Sequence, residues 1–69
     1  MKVFLRNRET NCYYAGSNGW SEDSSVAHDF DTVESVTQFA RTERLTGMEA
    51  VLHDDVHPRD LVLPLNPRS

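Results

Sequence analysis

Asp31-Thr32-Val33-Glu34-Ser35-Val36-Thr37-Gln38-Phe39-Ala40-Arg41-Thr42-Glu43-Arg44-Leu45-Thr46-Gly47 is the stretch that decides the fold. Val33, Val36, Phe39 and Ala40 recur at steps of three and four, which lays one apolar stripe along a helix. Asp31 and Glu34 stand three apart, an offset at which two carboxylates satisfy orphan amides of a first helical turn. Gly47 supplies a stop, since glycine adopts the left-handed cap without a Cβ penalty. The pattern predicts a helix from Thr32 to Leu45, about 21 Å long at ~1.5 Å per residue. At ~100° per residue Glu43 falls inside the apolar arc. Either the helix end overhangs the sheet edge, which suits the rarity of fully buried charge, or Glu43 is aimed into a small site.

Strands flank this helix on both sides. Upstream, Val3-Phe4-Leu5 and Cys12-Tyr13-Tyr14-Ala15 are rich in the apolar and aromatic residues that suit a pleated surface. The polar segment 6–11 between them has the length of a hairpin loop. Gly16-Ser17-Asn18-Gly19 is the strongest turn signal in the chain. Trp20 follows it, and the polar stretch from Ser21 to His28 reads as irregular. Downstream, Met48, Ala50 and Leu52 alternate with Glu49, Val51 and His53, as a strand requires. Residues 54–58 read as a loop, and Leu61-Val62-Leu63-Pro64-Leu65 reads as a last strand. Pro64 lacks a ladder donor and so places that strand at an edge. The order β-β-α-β-β predicts an α+β fold, a small four-stranded antiparallel sheet with one helix packed on one face. Residues 1–65 form the single domain and 66–69 a frayed tail.

Two strands fail to alternate. Val3-Phe4-Leu5 and Leu61-Val62-Leu63 are apolar on both faces, the mark of a sheet covered on both sides. One helix covers one face. The second needs either another copy of the chain or a fold-back of segment 17–30 that sets Trp20 over Phe4, Tyr13 and Leu63 or Val62, and the fold-back is favoured.

Composition narrows the function classes. With 69 residues and 38% hydrophobic content there is one domain, with little room for both a core and a deep cleft. Apolar runs are far shorter than the roughly 20 residues that span a bilayer, and Met1 to Arg6 turns polar too soon for a signal peptide. One cysteine, Cys12, forms no internal disulfide, which points to the cytoplasm. The net charge of −4 gathers in residues 20–35, where Glu22, Asp23, Asp29, Asp31 and Glu34 stand without a lysine or arginine. Such a chain is a poor nucleic-acid binder. Its acidic stretch reads first as solvated surface and second as a site for a basic partner.

Residues 13 to 40 carry Tyr13-Tyr14, a glycine turn, Trp20-Ser21, Asp23, Ala27, Phe30, then Val33-Glu34-Ser35-Val36 and Ala40. This resembles a pattern of small bacterial and phage proteins without an assigned function. There, a tyrosine strand leads through a glycine turn to Trp-Ser/Thr-x-Asp, Ala-x-x-Phe and a helix. The pattern often has alanine where Val33 and Val36 stand here. The resemblance implies a small β-β-α-β type domain and brings no catalytic residue with it.

Site chemistry is sparse. His53-Asp54-Asp55-Val56-His57 has metal-ligand residue types, but histidines four apart share a face only on a helix, and Pro58 opposes one. A structural zinc site also wants four ligands. Cys12 reads as a small buried hydrophobe rather than a nucleophile activated by His28. The sequence therefore predicts no catalytic residue, no metal and no cofactor. The reading it favours is a small non-enzymatic bacterial accessory or regulatory protein that meets a protein partner, or its own copy, through Phe4, Tyr13 and Trp20. The alternative is a small enzyme or a ligand- or metal-binding subunit that uses His28, Glu43, His53 and His57.

Overall fold

The computed structural model describes residues 1–56 and 59–65. His57, Pro58 and the expected tail 66–69 lie outside the described residues. Strand β1 is Lys2–Asn7, β2 Tyr13–Tyr14, β3 Trp20–Ser21, β4 Met48–His53 and β5 Leu61–Pro64, with helix α1 at Val33–Thr42 between β3 and β4. The sheet order is β3-β2-β1-β4-β5, and its pairings are antiparallel. The α+β class, with one α-helix among the described residues, is as expected. The sheet has five strands rather than four, because Trp20 and Ser21 pair with Tyr14 and Tyr13. The stretch read as irregular thus begins in a strand, and it continues through a 3-10 turn at Ser24–Val26. No helix among the described residues is long and apolar enough to cross a membrane.

The central pair is β1 with β4, in register from Lys2 opposite His53 to Asn7 opposite Met48. Val3, Leu5, Met48 and Ala50 point to the helix face and bury against Val36 and Ala40. Tyr14, Phe30, Phe39, Leu45, Leu52, Leu63 and Leu65 close this core at its rim.

Both helix ends differ from the reading of Asp31/Glu34 and Gly47, for one reason: the chain turns left-handed at Asp31 and at Arg44. Asp31 (φ 70°) therefore lies before the helix, and Thr32 is the N-cap, accepting from the Ser35 N–H at 3.0 Å. At the other end Glu43 is the C-cap and Arg44 (φ 57°) takes the left-handed position. Leu45 N–H then bonds to Ala40 C=O and Arg44 N–H to Arg41 C=O, the double closure of a Schellman motif. Glu43 is exposed at this end, which removes it from any site. Gly47 does have positive φ (69°), but it leads into β4, where its carbonyl accepts from Arg8 N–H.

The second face carries Phe4, Arg6, Tyr13, Glu49, Val51, His53 and Val62, with Leu63 on the helix side. Phe4 and Val51 are buried there. Arg6 pairs with Glu49 across the strands and donates to the Tyr13 hydroxyl, so a polar clasp flanks the apolar centre. A fold-back covers part of this face, and its cover is Ser24, Ser25 and Ala27 beside Phe4 rather than Trp20. Strand alternation explains the difference. Trp20 is opposite Tyr14, whose ring packs on Phe39 of the helix, so Trp20 belongs to the helix face.

Val36 is fully buried on the sheet, and Val36→Asp puts an unpaired carboxylate there. That costs several kcal/mol against a total stability of about 5 kcal/mol. The variant is expected to lack a cooperative thermal transition by circular dichroism. Melting at the parental temperature would contradict the helix register.

Candidate functional site

The site begins where β1 and β2 part. Their register runs through Arg6 and Tyr13, and beyond it residues 28–30 enter between the two strands. His28 N–H donates to Tyr14 C=O and Phe30 N–H donates to Val3 C=O, each at 2.8 Å. The Asp29 carboxylate accepts from Val3 N–H at 3.1 Å and from Asp31 N–H at 2.9 Å. These two amides, Asp31 first, hold the Asp29 pKa below the usual carboxylate value. Asp23 is lowered likewise by the hydroxyl and then the N–H of Ser25, the bonds that start the 3-10 turn.

This strap separates two environments. On the helix side, Tyr14 is the hub of an aromatic cluster. Its ring centroid lies 5.6 Å from Trp20, 6.0 Å from His28, 6.0 Å from Phe30 and 4.8 Å from Phe39. Trp20 is 41% exposed and His28 is exposed as well, so the outer rim of the cluster meets solvent. On the other side a hollow of about 210 Å³ is lined by Lys2, Phe4, Ser24, Ala27, Asp29 and His53, among others.

His53 is the titratable group of that hollow flanked by carboxylates. Its Nδ1 lies 2.8 Å from Asp60 and its Nε2 lies 3.3 Å from Asp55. With a carboxylate at each nitrogen, the imidazolium that donates from both is favoured. The pKa stands above the usual imidazole value, chiefly through the Asp60 hydrogen bond, then through the charges of Asp60 and Asp55 against opposing desolvation. Asp60 was not among the sequence candidates. The signal was present in the strand pairing, since Leu52 opposite Leu61 puts residue 53 opposite residue 60.

The candidates read from the sequence thus separate. Phe4 and Tyr13 share the second face with ring centroids 6.0 Å apart, but Phe4 is buried and Trp20 lies on the other face. Of the alternative set, His28 joins the aromatic cluster, His53 the hollow, Glu43 the helix end, and His57 is outside the described residues. Among the described residues no group of three or more His, Cys, Asp and Glu side chains gathers to hold a metal. Cys12 is half-buried just before β2 rather than within a strand, its thiol 3.6 Å from the Thr10 carbonyl. Compared with protein-family models, with curated proteins and with solved structures, the chain matches none.

A folded-state His53 pKa above the unfolded value of about 6.5 adds stability that is fully present below that pH. It is lost as pH rises through the folded value. The melting temperature is therefore expected to fall between slightly acid and slightly alkaline pH, and Asp60→Asn should flatten that fall. An NMR titration should place the His53 ring midpoint above about 6.5 and return it downward in the variant. An unshifted His53 in the parent would contradict the pairing.

Proposed function

We propose that this chain is a small non-enzymatic interaction protein, an accessory or regulatory factor that engages a protein partner at the Trp20 rim of the aromatic cluster. The observation that carries this reading is the position of Trp20. It is a large, rigid side chain, seated on Tyr14 and still 41% exposed. Tryptophan and tyrosine clusters with one wet side are the usual anchors of protein interfaces. Of the three residues proposed from sequence, Phe4 and Tyr13 support the second face from within and Trp20 is the contact residue.

The acidic stretch sets the sign of the partner. Glu22, Asp23, Asp29, Asp31 and Glu34 belong to the segments that carry and follow Trp20, so a basic partner surface is favoured and nucleic acid is disfavoured. A cytoplasmic, bacterial setting rests on the single cysteine and on the resemblance across residues 13 to 40. The enzyme alternative gains no support from His53, because a general base needs a free lone pair and both ring nitrogens face carboxylates.

The test is affinity capture with the parent and with Trp20→Ala at matched protein levels. The parent is expected to retain a protein that Trp20→Ala loses, and rising salt should weaken the capture as charges are screened. Equal retention by a folded Trp20→Ala would overturn the reading. Trp20 is the sole tryptophan, so its emission should shift to the blue when the captured partner is added back.

A further inference from the structure

The opposite edge of the sheet has its own pattern of exposure and backbone geometry. Leu61 is 57% exposed and Val62 39%, on opposite faces of β5. Leu65 N–H donates to Met48 C=O at 3.0 Å, and Leu63 and Leu61 follow in register with Ala50 and Leu52. In an antiparallel ladder the residues bonded to the neighbour alternate with residues whose N–H and C=O point away. Leu61, Leu63 and Leu65 therefore turn their backbone to β4, while Val62 and Pro64 turn theirs outward. Pro64 has no N–H and sits where its absence costs the internal ladder nothing. Among the described residues no strand pairs with the outer side of β5, and that edge offers one donor, Val62 N–H, and two acceptors, the carbonyls of Val62 and Pro64.

We infer that β5 pairs with β5 of a second copy, antiparallel about a two-fold axis at Val62. In this register each Val62 donates to and accepts from the other, which uses the sole outward donor of both strands. Leu61 lies opposite Leu63 of the second copy on the helix face, which covers its exposed side chain. Pro64 lies opposite residue 60, just beyond the strand, so its missing donor falls outside the paired segment. A foreign strand running the length of β5 would place one of its own strand carbonyls opposite Pro64, where no N–H answers it.

Local charge does not oppose this occupant. Residues 61–65 carry none, so a chain of net −4 brings no like charges into the strip. The nearest acid, Asp60, is tied to His53 in its own chain. A strip of four residues is smaller than the ~800 Å² per partner of a stable interface, so the dimer is weak and reversible. It joins two sheets into one of ten strands, with a Trp20 rim at each far end. A partner with two binding sites would then be held by both. This inference concerns the edge opposite Trp20 and stands or falls apart from the proposed function.

Sedimentation equilibrium over about 10 μM to 1 mM tests the association. The mass should rise from 7.9 kDa toward twice that value. Val62→Lys, which blunts an edge strand, should stay monomeric with the parental melting temperature. Oxidation in a Cys12→Ser background tests the register. Val62→Cys should form a disulfide-linked dimer, since directly paired Cα atoms lie about 5.5 Å apart, within disulfide reach. Leu61→Cys, displaced from its own copy by two residues, should link at least about tenfold more slowly. A parent that remains monomeric at the highest concentration overturns the inference, and so does Leu61→Cys linking as fast as Val62→Cys.

Discussion

Val3 is held at both its N–H and its C=O by the same three-residue strap. Its N–H donates to the Asp29 carboxylate and its C=O accepts from Phe30 N–H. The need for this strap is written in β1, which is apolar on both faces at Val3, Phe4 and Leu5. A single ten-residue helix covers the Val3–Leu5 side. The Phe4 side must be covered by chain that still returns to start that helix, and the gap between β1 and β2 is where it returns. Asp29 makes the passage compatible with backbone bonding, because it satisfies the Val3 amide that β2 no longer reaches.

Both candidate surfaces follow from that passage. The chain crosses with Ala27 on one side and Phe30 on the other, so residues 24–27 wall the hollow over Phe4 while Phe30 joins Tyr14 and Phe39. The resulting aromatic stack supports Trp20 from beneath and leaves its outer part in solvent. On the far side His53 stacks on Phe4 at 6.3 Å and is locked to Asp60. The hollow is thus a braced end of the sheet, and the aromatic rim is where a large ring meets solvent.

Much of the fold was legible in the sequence because its signals are local. The stripe of Val36 and Ala40, the alternation through Met48 to His53 and the edge proline all depend on near neighbours. The helix ends were misread because Asp31 and Arg44 adopt positive φ, a conformation their residue types do not advertise as glycine does. Trp20 was assigned to the wrong face because its two-residue strand looked like part of a polar loop. Once Trp20 pairs with Tyr14, the period of two fixes its side. The His53–Asp60 pair and the Asp29 latch were missed because each depends on tertiary register, linking residues seven and twenty-six positions apart, and only the β4–β5 register brings 53 opposite 60.

Native-state hydrogen exchange in the parent and in Asp29→Ala tests the strap most directly. In the parent, the Val3, His28 and Phe30 amides should exchange slowly, near the rate of the central β1 and β4 amides. In the variant these three should accelerate together while the helix and β4 amides keep most of their protection, since local opening frees the strap without unfolding the sheet. A variant whose Val3 and Phe30 amides stay as protected as in the parent would contradict the role given to Asp29.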